Sequence, residues 1–409
     1  MVPWVCLAVG LATVVLSLVS LVPLRGALGS VFSFVPGWIV GEAPLHLAVV
    51  ASAATIGCGL AGGWVSWPGL AGAALVAMAW PGLVVQFVSG LKSKRRFEAA
   101  LAEMGRPAPV WNWARGDSWR VLLALPVRPR GVERLRNVPY AGDERHAHRL
   151  DVYRRVGATG PSAAPVVLYF HGGNWVLGDK REQAIPMLQR LASRGYVCVT
   201  ANYSLSPKAK WPSHVIDCKL ALAWVKHHIA EYGGDPDLIF ISGGSAGGHL
   251  AALVALTAND PEWQPGHEDD DTSVAGCVAL YGVYDFVDPE KLGNANLSSL
   301  LDLGVFKRAG DELEAKRAAS PISRVTKSAP PFFLAHGRND VMVPVRSARA
   351  FVEVLRTRSE QPVGYAELPL AQHGFDTFWS PRTVHLIHAV EAFAAGVIAA
   401  RREDREVDR

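Results

Sequence analysis

Charged residues are nearly absent from the first quarter of this 409-residue sequence. Residues 1–91 carry only two formal charges, Arg25 and Glu42, although the rest of the chain has an ordinary share of both signs. Charge is costly in the hydrocarbon of a bilayer, whereas the surface of a water-soluble domain requires it. The scarcity of charge therefore excludes an ordinary soluble domain for residues 1–91.

Three uninterrupted apolar stretches fill this charge-poor region: Trp4–Val22, Leu45–Trp64 and Leu70–Val88. Each is about 20 residues long, and a helix of that length measures roughly 30 Å, the thickness of a bilayer core. No basic residue precedes the first stretch and two further stretches follow it, so a cleavable signal peptide is the weaker alternative. We predict a membrane-anchoring region over residues 1–91 with about three transmembrane helices, and two spans are the alternative.

The net charge of +4 is concentrated directly after the third stretch. Residues 97–409 are balanced in charge, which gives no electrostatic reason to expect a nucleic-acid partner. A basic cluster beside a membrane span favours contact with anionic lipids and marks the cytoplasmic side. We therefore expect a multi-pass membrane protein whose remaining residues lie on the cytoplasmic side. Membrane lipids are the expected partners of the cluster, which consists of Lys92, Lys94, Arg95 and Arg96.

Cysteine is also scarce, with five residues and no C-x-x-C spacing. An odd number without paired spacing argues against a disulfide scaffold, and buried free thiols are the simpler interpretation. The acidic run at 268–271 lacks the spacing of metal ligands, so we interpret it as a solvated loop. The sequence predicts no metal site.

From about Leu135 onward, short apolar runs alternate with segments whose apolar residues recur at helical spacing. This alternation predicts an α/β fold, with a mostly parallel central sheet and helices on both faces. We assign residues 92–133 to a juxtamembrane linker or cap segment, 134–400 to the α/β domain and 401–409 to a charged tail. The predicted strands are Val166–Phe170, Tyr196–Tyr203, Leu238–Ser242, Val274–Tyr281, Pro331–Ala335 and Gly364–Leu368.

The strongest local motif is the glycine-rich turn Gly243–Gly247, which surrounds Ser245 between a predicted strand and an Ala/Leu-rich helix. A serine on a sharp strand-to-helix turn exposes its hydroxyl, and the flanking glycines avoid collisions with the neighbouring backbone. The N-terminus of the following helix favours developing negative charge. We predict that Ser245 is a nucleophile, and a glycine-rich connection without chemistry is the alternative.

A second motif, His171–Trp175, follows the predicted strand Val166–Phe170. Glycines after a strand allow backbone N–H groups to converge on one point, and an acyl-transfer enzyme needs such a point to hold its oxyanion. We expect the N–H groups of Gly172, Gly173 and Ala246 to form this oxyanion hole.

With Gly178–Lys180 and Gly234–Asp237, these two motifs resemble the hormone-sensitive-lipase-like (family IV) carboxylesterases of the α/β-hydrolase superfamily, especially the actinobacterial membrane-associated lipases and esterases. The resemblance covers roughly residues 135–400. It implies the α/β-hydrolase fold and the activity of a serine carboxylesterase or lipase. His171 and Asn174 are expected to support the oxyanion loop, in which Asn174 stands where many relatives have a third glycine.

A serine nucleophile needs a base and an orienting acid, which the superfamily places in the order Ser, acid, His. Asp340 lies in the loop after the predicted strand Pro331–Ala335, and its Asp-x-x-Val-Pro form resembles the superfamily's acid motif. His373 alone among the histidines follows the last predicted strand and precedes the last helix. We predict Asp340 as the acid and His373 as the base. Asp285 also follows a strand and is the rival acid, although a helix N-cap is its simpler role.

The combined prediction is a serine hydrolase that cleaves hydrophobic acyl esters through an acyl-enzyme intermediate. The reaction needs only water and the triad, so no cofactor is expected. Residues 287–320 are polar and helix-prone, and we predict that they form a lid. Two alternatives remain open: an amide hydrolase, because the His-Gly-Gly-x-Trp loop also resembles arylformamidases, and a non-catalytic α/β-hydrolase module used for binding.

Overall fold

Helices make up the N-terminal quarter of the chain. A computed structural model describes residues 1–105, 115–124, 127–158, 163–287, 301–306 and 312–407. Within residues 1–105, a short turn separates each helix from the next. The four helices are α1 (Val2–Leu21), α2 (Ala27–Glu42), α3 (Pro44–Leu60) and α4 (Trp67–Ala102).

Helices α1 and α4 pack against each other through small residues. A side chain on Gly10 or on Gly72 would collide with the backbone of the opposite helix, so only glycine permits this close approach. Further along the pair, the Ser17 hydroxyl donates to the carbonyl of Ala79 over 3.4 Å. Close backbone approach at small residues is typical of helices that associate within a bilayer.

Three of the described helices are long and apolar enough to cross a membrane. Two of them, α1 and α4, contain the first and third stretches predicted from the sequence. Most of the second predicted stretch lies in α3, which has only 17 residues. A short break with a bend of 93° separates α3 from α2. Helices α2 and α3 give a fourth candidate membrane span only if they are counted together as one span. The third long helix, at the C-terminus, is 61% buried over its apolar window and belongs to the α/β domain.

The α/β domain is built on an eight-stranded sheet with the order β1-β2-β4-β3-β5-β6-β7-β8. Strand β2 pairs antiparallel with β1 and β4, and all the other neighbours are parallel. The strands are β1 (Val132–Pro139), β2 (Arg149–Arg155), β3 (Ala164–Phe170), β4 (Val197–Ala201), β5 (Gly234–Gly244), β6 (Gly276–Leu280), β7 (Phe332–Gly337) and β8 (Val363–Leu368).

Helices cover both faces of this sheet. Successive residues of a strand point to opposite faces, and in β3 Leu168 belongs to one apolar core whereas Tyr169 belongs to the other. Near-continuous apolar strands such as β3 and β6 are therefore buried on both sides. The remaining helices are α5 (Arg115–Leu123), α6 (Ile185–Ser193), α7 (Ser213–His228), α8 (Ala246–Leu256), α9 (Glu312–Ala319), α10 (Val345–Arg358) and α11 (Pro381–Val407).

The N-terminal helices are joined to the α/β domain by direct packing. Helix α4 continues past its apolar half, and its buried Phe97 stacks on Phe333 of β7 with ring centroids 6.4 Å apart. A buried ion pair at 2.9 Å links Arg382 of α11 with Glu42 at the end of α2. The two parts are therefore held together by both apolar and charged contacts.

All six strands predicted from the sequence are present, within a few residues of their predicted limits. The sequence patterns did not indicate β1, β2, α2 or α6, and α11 continues through most of the predicted charged tail. Of the predicted lid at 287–320, residues 288–300 and 307–311 lie outside the described residues. The described remainder includes α9 and a short helical turn at Leu301–Val305.

Candidate active site

Ser245 lies on the turn between β5 and α8. Its backbone has φ 58° and ψ −121°, in the half of conformational space that residues with a side chain rarely adopt. The Ser245 N–H donates to the carbonyl of Leu280 at the end of β6 over 3.0 Å, and 6% of the residue is exposed. Such strain persists only where the surrounding structure enforces it, and it is common at functional sites.

The glycines that flank Ser245 are required by the close approach of β3 and β6. A Cβ on Gly247 would collide with the carbonyl oxygen of Phe170, and one on Gly248 would lie 2.6 Å from that of Leu280. Both obstacles are backbone atoms of central strands, which cannot move aside as a flexible side chain can. The motif is therefore explained by packing as well as by chemistry.

Gly247→Ala is expected to destabilise the α/β domain because the added methyl group must displace the backbone of β3. Overpacking of this kind costs about 1–3 kcal/mol. Chemical denaturation in detergent should show a lower midpoint than for the wild type. Gly142→Ala is the matched control, since a Cβ there meets no atom within 4 Å. Equal stability of the two variants would contradict this packing.

The loop with His171–Trp175 lies directly against the serine turn. A Cβ on Gly172 would be 2.9 Å from the Cβ of Ser245. Gly173 has φ 121°, and Asn174 and Trp175 follow at 53° and 62°. Asparagine tolerates left-handed backbone better than most residues, which explains how Asn174 can adopt this conformation without being a glycine.

The predicted oxyanion donors differ in their surroundings. The Gly172 N–H donates to Oε1 of Gln183 over 2.7 Å, so it is engaged as long as that side chain stays in place. Ala246 is the first residue of α8, and its N–H has no carbonyl partner within the helix. Gln183 was not indicated by any sequence pattern, because the residue follows the loop motif without belonging to it.

His171 is a buried, structural member of the loop. Its imidazole stacks on Tyr203 with centroids 4.5 Å apart, and its Nδ1 lies 2.7 Å from the carbonyl oxygen of Gly172. The Tyr203 hydroxyl donates to the carbonyl of His171. Burial lowers the pKa of His171 to about 4, so the side chain is neutral at physiological pH.

The predicted acid and base are in direct contact. Nδ1 of His373 lies 2.7 Å from Oδ2 of Asp340. The other carboxylate oxygen, Oδ1, accepts from the backbone N–H groups of Met342 and Val343, both over 2.8 Å. These bonds fix the carboxylate, and the carboxylate in turn orients the imidazole.

The charge state of Asp340 follows from its neighbours. Burial would raise its pKa, but the charge of His373 and the hydrogen bonds from His336 and His373 together hold the pKa below its usual range. His336, predicted as a structural neighbour of the acid loop, is buried, with Nε2 3.2 Å from Oδ2 of Asp340. The carboxylate therefore stays ionised in conditions that protonate an imidazole.

Tyr281 packs against the imidazole of His373 close to the serine turn. It follows Leu280, which accepts the Ser245 N–H, and its ring packs edge-on against the imidazole of His373 with centroids 4.7 Å apart. The structure thus places Ser245, Asp340 and His373 after the carboxyl ends of the parallel strands β5, β7 and β8, at the sheet edge where α/β sheets bind ligands. Asp285 contacts the N–H of Val287 through Oδ1, whereas Asp340 bonds the imidazole.

Two further buried polar residues, Gln372 and Asp376, lie close to His373, and sequence analysis missed both. Oε1 of Gln372 accepts from the N–H groups of Val341 and His373, so it ties the acid loop to the base loop. The Tyr281 hydroxyl donates to Asp376, and burial raises the pKa of this carboxyl. Their proximity to His373 in the sequence was the only available signal.

Metal ligands are not grouped in the described part of the chain. Among the residues that the structure describes, no three His, Cys, Asp or Glu side chains are arranged to hold an ion. Three of the acidic residues at 268–271 make hydrogen bonds or ion pairs within the protein, including an ion pair of Asp271 with Lys226 at 2.7 Å.

A family model supplies the decisive comparison, because the BD-FAE model matches residues 150–355, half of the chain. The chain belongs to the BD-FAE family. The matched range contains Ser245, the His-Gly-Gly loop and Asp340, but it ends before His373.

Curated relatives of this BD-FAE protein are mycobacterial esterases. The probable carboxylic ester hydrolase LipM of Mycobacterium tuberculosis is 48% identical over 266 residues, 65% of this chain and 62% of LipM. Esterase LipQ of the same organism is 44% identical over 285 residues, 69% of this chain and 67% of LipQ. The chain thus spans about three-fifths to two-thirds of these relatives' lengths.

Solved structures agree with the fold of the BD-FAE protein. Esterase B from Lactobacillus rhamnosis superimposes with a TM-score of 0.59 and 21% identity, covering 78% of this chain and 99% of the esterase. This similarity establishes the α/β-hydrolase fold, as the sequence resemblance implied.

Proposed function

We propose that this BD-FAE protein is a membrane-anchored serine carboxylester hydrolase that cleaves hydrophobic acyl esters. The observation that carries the proposal is the 2.7 Å bond between His373 Nδ1 and Asp340 Oδ2, at the sheet edge where Ser245 occupies its strained turn. The names of the mycobacterial relatives, a carboxylic ester hydrolase and an esterase, support the reaction class.

In the proposed reaction, the Ser245 hydroxyl attacks the acyl carbonyl of the ester while His373 accepts its proton. With Nδ1 donating to Asp340, the lone pair of the imidazole is on Nε2, which therefore acts as the base. The C–O bond to the alcohol then breaks, and His373 returns the proton to the departing oxygen. Water repeats the sequence on the acyl-enzyme and releases the acid.

The oxyanion of each tetrahedral intermediate would be held by backbone N–H groups of Gly172, Gly173 and Ala246. One such donor lowers the barrier by about 2.7–4 kcal/mol. Gly172 can contribute only if the Gln183 side chain withdraws from its N–H, whereas the role of Ala246 requires no such movement. His171 and Asn174 would hold the loop in shape.

The proposed membrane location rests on the apolar helices α1 and α4 and on the basic cluster within α4. Helix α4 runs without interruption from its apolar half through Lys92, Lys94, Arg95 and Arg96 to the buried Phe97. The α/β domain would therefore lie immediately at the bilayer surface, on the cytoplasmic side by the distribution of basic residues.

The test of the proposed activity is hydrolysis by the purified full-length chain in detergent. We expect turnover of p-nitrophenyl acyl esters of graded chain length and much weaker turnover of N-formylkynurenine. An ester bond has the better leaving group and needs no protonation of an amine. Turnover of the formamide alone would support an amide hydrolase, and absence of turnover of both would contradict the proposed activity.

A further inference from the structure

Helix α2 has an unusual distribution of side chains. Apart from Val40, its buried face consists of small and polar residues, among them Ser30, Ser33 and Gly37, whereas its exposed face is apolar. A helix on a soluble protein shows the opposite arrangement. The exposed apolar residues are Leu28, Val31, Phe32, Val35 and Ile39, with exposures between 45% and 76%.

The orientation of α2 suits a helix that lies in the plane of a membrane surface. It is bent by 93° from α3, which packs beside α1 and α4. If α3 stands upright in a bilayer, the 93° bend places α2 along the bilayer surface. An in-plane helix with one strongly apolar face buries that face at the boundary between headgroups and acyl chains.

Basic residues line a cavity beside the start of α2. A cavity of about 460 Å³ opens between the start of α2, at Gly26 and Ser30, and the acid loop with Asp340. Four arginines line the cavity, and two of them, Arg338 and Arg349, pair with Glu367. The remaining excess of positive charge suits anionic headgroups at a bilayer surface. The arginines are Arg25, Arg338, Arg346 and Arg349.

The protein side of α2 contacts the base loop. The ring of Phe34 meets the imidazole of His373 edge-on with centroids 6.2 Å apart. The Trp38 indole N–H donates to the carbonyl of Gly374 over 2.9 Å, and Gly37 permits the close approach of Gln372. A helix with a membrane-facing apolar surface thus forms a wall beside the proposed base.

The ion pair between Glu42 and Arg382 secures this wall. Both side chains are 1% exposed, and a guanidinium nitrogen of Arg382 also donates to the carbonyl of Gly41 over 2.7 Å. The Glu42 carboxylate accepts a further bond from the Ser380 hydroxyl over 2.6 Å. The position of α2 relative to the base loop is therefore fixed by several buried bonds.

We infer that α2 is an interfacial helix and that the substrate moves along it from the bilayer directly into the site. The inference rests on the proposed esterase function and narrows its substrate class to acyl esters that reside in the membrane. The acyl chain would lie along the apolar face of α2, with its carbonyl at Ser245. Phe34 is the specificity-determining residue, because it stands between that face and His373.

The test compares two substrates with the full-length chain reconstituted in phosphatidylcholine–phosphatidylglycerol vesicles. One substrate is a long-chain diacylglycerol held in the bilayer, and the other is water-soluble p-nitrophenyl butyrate. Phe32→Ser and Phe34→Ala should each lower kcat/KM for the bilayer ester at least about tenfold, the usual scale for one lost apolar contact. Hydrolysis of the soluble ester by Phe32→Ser should stay within about threefold of the wild type, because Phe32 lies on the exposed apolar face of α2.

Val50→Ser on α3 is the matched control, since Val50 is similarly exposed, at 64%, but lies on the other arm of the bend. It should leave both activities near wild type, and vesicle flotation should show equal membrane association for all variants. An equal effect of Phe32→Ser on both substrates, or an effect on neither, would overturn the inference while leaving the esterase function intact. Wild-type protein inactive on both substrates would instead refute the proposed function.

Discussion

Ser245→Ala is expected to lower kcat for ester hydrolysis on the order of a million-fold, the loss measured when a triad serine is removed elsewhere. The methyl group cannot form the acyl-enzyme, so only the oxyanion donors and substrate binding remain to accelerate direct attack by water. Steady-state assays with p-nitrophenyl esters, corrected for background hydrolysis, measure the loss. KM should change little, because the Ser245 hydroxyl acts on the reacting carbonyl rather than on the rest of the ester.

Ser242→Ala is the matched control for this result. Ser242 is also buried and lies on the same strand, β5, three residues before the turn. Its substitution should leave kcat within a few-fold of the wild type. Comparable losses in the two variants would mean that damage to β5, and not removal of a nucleophile, explains the effect of Ser245→Ala.

His373→Ala should cause a loss of similar size, about a million-fold in kcat, because the triad acts as a unit. Without the imidazole, no group accepts the proton of Ser245 or protonates the leaving alcohol. Asp340 cannot substitute for it, since its depressed pKa makes the carboxylate a weak base. Exogenous imidazole should restore part of the activity by occupying the space that the side chain leaves.

The dependence of activity on pH distinguishes the role of His373 from that of Asp340. Wild-type activity should fall in acid because a general base must be unprotonated to accept the proton of Ser245, while Asp340 remains ionised. The residual activity of His373→Ala should lose this dependence. His227→Ala, an exposed histidine on α7, serves as the control and should retain both the rate and the profile. A flat wild-type profile over the same range would contradict the assignment of the base.

The fold was largely predictable because its signals are local. Strands β3 to β8 are apolar runs ended by glycine, proline or polar residues, and the turn at Ser245 is confined to a few consecutive positions. The antiparallel strands β1 and β2 escaped prediction because charged residues interrupt their few apolar residues. Arg134, Arg136, Arg149 and Arg154 all lie in these two strands.

The contacts that complete the site were not predictable, because they join distant parts of the chain. Phe34 contacts His373, which lies more than three hundred residues away in the sequence, and no periodicity in either segment predicts the contact. Gln183 on the Gly172 amide and Gln372 between two loops are single polar residues without a motif. Helix α2 was hidden for another reason, since its small and polar inner residues interrupt the apolar pattern that identified its neighbours.

The central claim, that Ser245 becomes a covalent nucleophile, is tested most directly by a fluorophosphonate probe followed by peptide mass mapping. The folded wild-type chain should take up one phosphonyl group, located on the peptide that contains Ser245. Prior denaturation should prevent the labelling, because the base and the strained turn are then lost. An adduct on another residue, or no adduct on a chain that hydrolyses esters, would contradict the account.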